Sequence, residues 1–377
     1  MTIDNFVLHF VQKYFKDMNA CKIQSIQMLW SGYGEIARYS IPNIGQTIIV
    51  KVVKPTQQVA HPRGWDGAVS HQRKVDSYLN ELTFYKNYAE QTDSRCRVPS
   101  FNIGMSAPQN SEALLDIGLN KNVNEISNDF LDEALHDISQ YNGLSLLIME
   151  DLDAAGFELR CTEAPLSIVK LGVRWLAHFH ARFLTQTTDD LWQVGSYWHL
   201  ATRQDEFVKM EKSELKTKAI KIDEQLNNAR FQTLLHGDAK LANFCFSADT
   251  ENLAGVDFQY VGRGAGIKDM MYFLGSCLDS DELKQHADSL LDEYFSLLKK
   301  AIVENRIQVN FDELEAEWRY LYAFSWADFH RFLKGWATEH YKINDYMSIQ
   351  TNIALAKCYD TSSSGSFGLR YVKPKLK

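Results

Sequence analysis

LLHGDAKLANFCFSADTENLAGVDFQYVGRG, residues 234–264, carries three polar residues, Asp238, Asn243 and Asp257, around a predicted β-hairpin. FCF and LAGVDF predict its two strands, and SADTEN predicts the turn between them. Asn243 immediately precedes the first strand and Asp257 ends the second. We therefore expect these two oxygen ligands to converge on one hard cation, while Asp238 projects from the loop before them. Mg²⁺ prefers a few oxygen ligands together with phosphate oxygens and water, so the stretch predicts a phosphoryl-transfer site.

The spacing within this stretch also matches a catalytic loop. His236, Asp238 and Asn243 follow the pattern H-x-D-x-x-x-x-N of kinases, and Asp257 falls where the second magnesium aspartate belongs. We expect Asp238 to accept or orient the proton of the acceptor hydroxyl and His236 to orient the loop backbone. Lys240, two residues after Asp238, can neutralise charge on the transferring phosphoryl group. A coincidence would require three independent polar placements to match the hairpin, so the functional interpretation is favoured.

HGDAKLAN, residues 236–243, followed by VDFQ, residues 256–259, resembles the motifs of kinase-like phosphotransferases. These include aminoglycoside phosphotransferases, choline kinases and, most closely, the ecdysteroid kinase-like group. His-Gly-Asp replaces the His-Arg-Asp of protein kinases, and SYLNELTFY and LAHFHARF are also similar to segments of the group, so the resemblance spans residues 30–278. It implies a protein-kinase-like fold, ATP and Mg²⁺ as cofactors, and a small-molecule alcohol as substrate.

The chain as a whole has a strand-rich front and a helical rear. β-like runs such as TIIVKVV and LSLLIMEDL fill the front, and helical patterns dominate the rear. This predicts an α+β bilobal fold with an N-terminal nucleotide-binding lobe at 1–150, which holds an acidic, solvated insertion with a short helix at about 105–140. A helical C-terminal catalytic and acceptor-binding lobe is predicted at 151–360 and a flexible tail at 361–377.

A nucleotide site also needs a cation for the α- and β-phosphates and a helix glutamate that holds it. Lys51 lies in TIIVKVV and alternates with Ile49 and Val53, so it shares their inward-facing side. Glu81 lies in the helical run that follows, and we expect it to pair with Lys51. Lys54 is the rival lysine, but it stands beside a proline where the chain leaves the sheet. For Glu81 the alternative is a solvated helix carboxylate.

Ser31, Gly32, Tyr33 and Gly34 form a loop between two predicted strands. Its glycines allow backbone N–H groups to approach phosphate oxygens closely. The resemblance implies that this is the loop that covers the phosphates. The residues alone are equally compatible with a plain hairpin turn.

Two further roles are implied by the resemblance. The backbone of Glu150, Asp151 and Leu152, in the run LIMEDL, corresponds to the linker that hydrogen-bonds an adenine edge. Asp269 corresponds to a structural support of the catalytic loop. The residues alone favour a different role for Asp269, as the N-cap of a helix over the apolar run MMYFLGSCL.

Composition limits the partners that this chain can have. Of its 377 residues, 45% are hydrophobic, and 40 Lys+Arg against 48 Asp+Glu give a net charge of −8. An acidic chain lacks the basic surface that binds phosphate backbones, so nucleic acid is excluded as a partner. No run approaches the roughly 18 apolar residues that span a bilayer, which predicts no membrane anchor. The 6 scattered Cys suggest reduced thiols and a cytoplasmic location.

Two other functions are weighed against a small-molecule kinase. A catalytically inactive kinase-fold binding protein is disfavoured because the magnesium and base positions are all present. A protein kinase is disfavoured because no A-P-E segment follows VDFQ. The acceptor is not identified by a motif. Aromatic residues between 318 and 341 could form a pocket for choline or a steroid-like alcohol, but a helical core is favoured because four of them form one stripe. These residues are Trp318, Tyr322, Trp326, Phe329, Trp336 and Tyr341.

Overall fold

The computed structural model describes residues 1–29, 32–54, 68–107, 116–119 and 127–360. Three predicted features lie wholly or partly outside the described residues. These are Ser31, part of the insertion at about 105–140, and the tail at 361–377. No helix in the described ranges combines the length and the apolar character needed to cross a membrane.

The described residues form two compact units. The first comprises Met1–Arg160 and Cys245–Gln259, and the second comprises Cys161–Phe244 and the residues from Tyr260 onward. The segment Cys245–Gln259, which the sequence groups with the C-terminal lobe, thus packs within the first unit. One reason is a backbone hydrogen bond of 2.9 Å in which the Gly255 N–H donates to the carbonyl oxygen of Arg97.

A six-stranded antiparallel sheet, in the order β1-β2-β3-β6-β4-β5, forms the centre of the first unit. Its strands coincide with the β-like runs of the sequence, except β5, which the sequence did not predict. The strands are β1 (Cys21–Met28), β2 (Gly34–Ile41), β3 (Gln46–Val53), β4 (Phe101–Ser106), β5 (Asp116–Leu119) and β6 (Ser145–Glu150).

The central strand β3 separates two sets of side chains by its alternation. Ile48 and Val50 are buried in a core shared with the N-terminal helix α1 (Ile3–Tyr14). Lys51 has the opposite parity, and its ammonium contacts helix α2 (Ala68–Asn87). Because side chains alternate strictly along a strand, the position of Ile48 and Val50 in the core fixes the direction of Lys51.

Part of the insertion that the sequence predicts as solvated belongs to the folded core. Strand β5 pairs with β4, and helix α3 (Asn128–Ser139) buries Ala134 and Ile138 against the core that contains α1. The short helix predicted within the insertion is thus present as α3, but it is docked by one face and is not fully solvated. The apolar residues of α3 lie on one face, so a segment rich in acidic residues can still dock by that face.

The predicted hairpin is present as strands β8 (Phe244–Phe246) and β9 (Leu253–Gly255). The second strand ends earlier than predicted, because Asp257 has a φ of 68°, in the left-handed region that a strand cannot contain. Phe258 then stacks on Phe84 of α2 with ring centroids 4.1 Å apart. The hairpin is thereby joined to the helix that carries Glu81.

The second unit consists mainly of helices, with one small sheet of β7 (Thr233–Leu235) and β10 (Gly262–Gly264). The chain passes from β7 directly into the predicted catalytic loop. The helices are α4 (Leu166–Arg182), α5 (Gln204–Lys209), α6 (Glu214–Asn227), α7 (Ile267–Cys277), α8 (Ser280–Glu304), α9 (Phe311–Trp336) and α10 (Asp345–Asp360).

The aromatic stripe of α9 is part of the core of the second unit. Trp318, Tyr322, Trp326 and Phe329 are all buried, and the Trp318 indole N–H donates to the carbonyl oxygen of Phe231 at 3.0 Å. The helical-core interpretation of this stripe is therefore confirmed, and these four rings are committed to packing.

A partly buried ion pair joins the end of β6 to β2. Arg38 donates to both carboxylate oxygens of Asp151, at 2.6 and 3.1 Å, and Thr47 donates to the same carboxylate at 2.6 Å. Burial alone would raise the pKa of Asp151, but the hydrogen bonds from Arg38 and Thr47 outweigh it, so the pKa is lowered. The side chain of Asp151 thus has a structural role.

We expect Arg38→Met to destabilise the protein by about 2 kcal/mol near pH 7, since a charged hydrogen-bond donor is lost. The pKa of Asp151 is lower when folded than when unfolded, so its stabilisation is present above about pH 4 and is lost as the pH falls through the folded value. Urea unfolding between pH 3 and 7 should show the wild-type advantage shrinking at the acid end. Arg95→Met, which breaks a more exposed pair with Asp93, is the control and should change stability by less than about 1 kcal/mol. A pH-independent effect of Arg38→Met would contradict this account.

Candidate active site

Lys51 and Glu81 form a buried ion pair in the first unit. Lys51 Nζ lies 2.6 Å from Glu81 Oε2 and 3.7 Å from Asp257 Oδ1, so the ammonium contacts two carboxylates. Burial raises the pKa of Glu81, opposed by the charge of Lys51 and assisted by that of Asp257. Lys54 is exposed. The structure therefore brings Lys51, and not Lys54, to the helix glutamate; their role in nucleotide binding stays a prediction.

Asp257 has an unusual backbone conformation and a partly exposed carboxylate. Its φ of 68° is uncommon for a residue with a side chain and costs about 1 kcal/mol. Its side chain is 33% exposed, whereas those of Lys51 and Glu81 are 5% and 3% exposed. Strained backbone of this kind persists where the surroundings hold it, often at functional sites. Asp257 is thus the most accessible carboxylate of this group.

Gln259 holds Asp257 in place, a role that the sequence analysis did not assign. Its side-chain amide donates to Asp257 Oδ1 at 2.6 Å. Its amide oxygen accepts from Lys74 Nζ at 2.8 Å, and its backbone carbonyl accepts from Asn80 at 3.2 Å. One buried residue therefore joins Asp257 to α2, the helix of Glu81. The sequence feature that could have indicated this role is an amide side chain, with both a hydrogen-bond donor and an acceptor, two residues after Asp257.

The catalytic-loop residues of the second unit lie close together. Asp238 is buried, and its Oδ2 accepts from Lys240 Nζ at 2.8 Å and from the Asn243 amide at 3.1 Å. The same amide also donates to the backbone carbonyl of Asp238 at 2.9 Å, which leaves its oxygen as the atom that could bind a cation. Asp238 Oδ1 is buried and has no hydrogen-bond partner within the described part of the chain.

Asp269 supports this loop from α7. Its Oδ2 accepts from the backbone N–H of His236 at 2.5 Å, and its Oδ1 accepts from that of Gly237 at 3.0 Å. His180 contacts the same carboxylate at 3.2 Å, and its other ring nitrogen contacts the Tyr294 hydroxyl at 2.7 Å. Asp269 is the third residue of α7, so the N-cap interpretation was wrong. The role implied by the resemblance agrees with these contacts.

His236 and Gly237 shape the loop backbone. The His236 ring is fully buried, and its Nδ1 accepts from the Asp238 N–H at 3.3 Å, so it acts on the backbone. Gly237 has a φ of 80°, and a Cβ there would lie 1.9 Å from the carbonyl oxygen of Tyr260. Only glycine fits this position, which explains why His-Gly-Asp replaces His-Arg-Asp.

The glycine-containing loop has a structural explanation of its own. A Cβ at Gly34 would lie 1.9 Å from the carbonyl oxygen of Val52, so β2 and β3 require glycine at this point. The Tyr33 side chain is buried, and its hydroxyl contacts His71 Nδ1 at 2.6 Å. Gly32 has a φ of 74° with open space around it. The plain hairpin turn thus explains Gly34, and contact of Gly32 with phosphate stays a prediction.

The segment predicted to bind adenine is partly committed to internal hydrogen bonds. The Glu150 N–H donates to the carbonyl oxygen of Ser100 at 2.9 Å, and the Leu152 carbonyl accepts from the Phe157 N–H at 2.8 Å. Leu152 itself is buried with the hairpin residues Cys245 and Ala254. An adenine edge would therefore have to hydrogen-bond to other backbone groups of this segment.

Comparison with known proteins identifies the family that this chain is similar to. Residues 182–305 match the model of the ecdysteroid kinase-like family. The resemblance predicted from the sequence is confirmed. No curated protein sequence matches the chain significantly.

Solved structures with the same fold include choline kinase from Cryptosporidium parvum Iowa II, at 10% identity and a TM-score of 0.50, covering 94% of this chain and 95% of that one. Ethanolamine kinase from Plasmodium vivax gives 11% identity and a TM-score of 0.46, covering 94% and 87%. The similarity to choline kinase confirms the bilobal α+β kinase-like fold.

Gln259→Ala should weaken binding of Mg-ADP about tenfold, because Asp257 loses the donor that orients it. Calorimetry at several magnesium concentrations would measure the change, with thermal unfolding as a check on the fold. Gln72→Ala, on the exposed side of the same helix, is the matched control and should bind as the wild type does. Equal affinities in wild type and Gln259→Ala would remove Gln259 from the site.

Proposed function

We propose that this protein is an ATP-dependent phosphotransferase that moves the γ-phosphate to a hydroxyl of a small molecule. The observation that carries the proposal is the buried, unpaired Oδ1 of Asp238. A buried acceptor without a donor costs about 1–3 kcal/mol, and such atoms are concentrated where a ligand completes them. A substrate hydroxyl is a donor of the right kind. Its hydrogen bond to Asp238 would also position the oxygen for attack on phosphorus.

Each predicted residue then has a defined task. Asp238 accepts the hydroxyl proton as the new oxygen–phosphorus bond forms and the bond from that phosphorus to the leaving ADP breaks. Lys240, paired with Asp238 Oδ2, offsets the charge that accumulates beside it. Glu81 holds Lys51 so that its ammonium can meet phosphate oxygens.

We propose Asp257 and Asn243 as the magnesium ligands, because each side chain carries an oxygen of the type that a hard cation prefers. Mg²⁺, when bound there with ATP, would neutralise charge on the phosphate oxygens. Asp257 is the more exposed of the two carboxylates that contact Lys51, so it is the one that can change partners. No covalent phosphoenzyme is needed, because positioning and charge supply the catalysis.

A small-molecule acceptor is favoured over a protein. The family model is described as ecdysteroid kinase-like, and the choline kinase with this fold is named for a small alcohol. After Gln259 the chain enters β10 and then α7, which begins at Ile267. This short connection leaves no long segment where a protein kinase carries its activation loop. An inactive binding protein is disfavoured because the residues predicted as base and metal ligands, Asp238, Asn243 and Asp257, are all present.

Asp238→Asn should lower turnover about 10²–10⁴-fold and leave Mg-ADP affinity within about twofold, because the lost group acts on the acceptor hydroxyl. Turnover is measured as ADP release over a panel of alcohols, and affinity by calorimetry. Asp281→Asn, whose side chain is 90% exposed, is the control. Phosphorylation by Asp238→Asn near the wild-type rate would remove this residue from the mechanism.

Lys51→Met and Glu81→Gln should each reduce activity, and the double variant should lose little more than the worse single one. The reason is that Glu81 acts by holding Lys51, so the two changes are not additive. Lys54→Met is the internal control because that side chain is exposed and should be nearly neutral. Additive losses in the kcat/KM of the double variant would separate the two residues.

A further inference from the structure

Lys342 is a buried lysine that none of the assigned roles uses. It lies in the connection between α9 and α10, and only 9% of its surface is exposed. Its ammonium lies 4.5 Å from the ring centroid of Tyr272 and 5.8 Å from that of Phe329. These are cation–π distances, so the faces of both rings are already covered by a positive charge from the protein.

Tyr272 connects this ammonium to the candidate base. The Tyr272 hydroxyl donates to the Tyr197 hydroxyl at 3.1 Å. Burial, and after it the nearby charge of Asp238, raises the pKa of Tyr197, and burial with contributions from Tyr197 and Asp238 raises that of Tyr272. Both phenols are therefore neutral. The backbone N–H of Tyr197 donates to the carbonyl oxygen of Gly237, the residue before Asp238, at 3.2 Å. The ring of Tyr197 packs on that of Tyr272, which packs on that of Phe329, so the residues beside the predicted base belong to the cluster that Lys342 contacts.

Lys342 keeps its charge near neutral pH although burial lowers its pKa. Burial lowers its pKa to about 8, Asp238 opposes that shift, Lys240 adds to it and Cys277 opposes it. The ammonium is thus predominantly protonated near neutral pH. A cation that approaches Asp238 would be repelled by Lys342 and Lys240 together, and Lys342 already occupies one face of Tyr272.

We propose that Lys342 is a specificity residue that excludes positively charged alcohols, so that the acceptor is an alcohol without a positive charge. Aromatic recognition of an ammonium needs an open ring face, and a like charge over that face adds repulsion. The inference deepens the proposed function and rests on it. It separates this chain from choline kinase, with which it shares the fold.

Choline and 3,3-dimethylbutan-1-ol form a suitable pair of probes, because they have the same shape and differ in whether the central atom is N⁺ or carbon. Calorimetry measures the binding of each alcohol to the full chain in the presence of Mg-ADP, and ADP release with Mg-ATP measures turnover. The wild type should prefer the neutral alcohol by about tenfold or more. Lys342→Met should reduce that preference about tenfold, mainly through tighter binding of choline.

Two variants keep the result independent of folding defects. Lys342→Arg retains the charge and should retain the preference for the neutral alcohol. Lys299→Met removes a lysine that also lies over a ring, 5.0 Å from Phe311, at an exposed place, and should leave the preference unchanged.

Three outcomes would overturn the inference. They are a wild type that binds choline as well as its neutral isostere, a Lys342→Met variant that binds choline no better than the wild type, and a Lys342→Arg variant that loses the preference. Failure of the phosphotransferase proposal is detected separately, as absence of Mg-ADP binding to the wild type. Mg-ADP binding with no change on Lys342→Met would reject the role of Lys342 alone.

Discussion

The Asp269 carboxylate accepts hydrogen bonds from two successive backbone N–H groups, and the conformation of the predicted catalytic loop depends on that contact. A buried carboxylate is tolerated only where donors replace the lost water, and His236, Gly237 and His180 supply them. Because these bonds fix the backbone immediately before Asp238, the loop can hold one carboxylate oxygen without a partner. The hydrogen-bond network around Asp269 offsets the energetic cost of leaving that oxygen of Asp238 unpaired.

The first unit contains a group of three charged side chains. Lys51 contacts Glu81 and Asp257, so two negative charges share one positive charge. Burial penalises the charge of Glu81 and raises its pKa, whereas Asp257 is the more exposed of the two carboxylates. Gln259 and the strained backbone of Asp257 hold that carboxylate at the end of a hairpin. The result is a buried pair, Lys51 and Glu81, beside a carboxylate that water can reach.

Features that depend on local pattern could be predicted from the sequence, and features that depend on distant contacts could not. Alternation along β3 gave the side of Lys51, and the run of alternating residues gave the hairpin that begins after Asn243. By contrast, the helix α3 buries Ala134 and Ile138 only because α1, more than 100 residues earlier, offers a complementary face. The hydrogen bonds between Gln259 and α2 likewise join residues far apart in the sequence, with separations of 185 and 179 residues. Asp269 was ambiguous because a cap and a loop support use the same carboxylate chemistry.

The close approach of Gly237 to the backbone at Tyr260 limits which loop sequences this fold can accept. Any side chain at this position would collide with the carbonyl oxygen of Tyr260, a backbone atom that cannot rotate away. A single substitution to arginine, which would produce the His-Arg-Asp of protein kinases, therefore requires the segment at Tyr260 to shift at the same time. The two loop sequences therefore cannot be exchanged by one substitution on this backbone, because the change at residue 237 and the shift at Tyr260 must occur together.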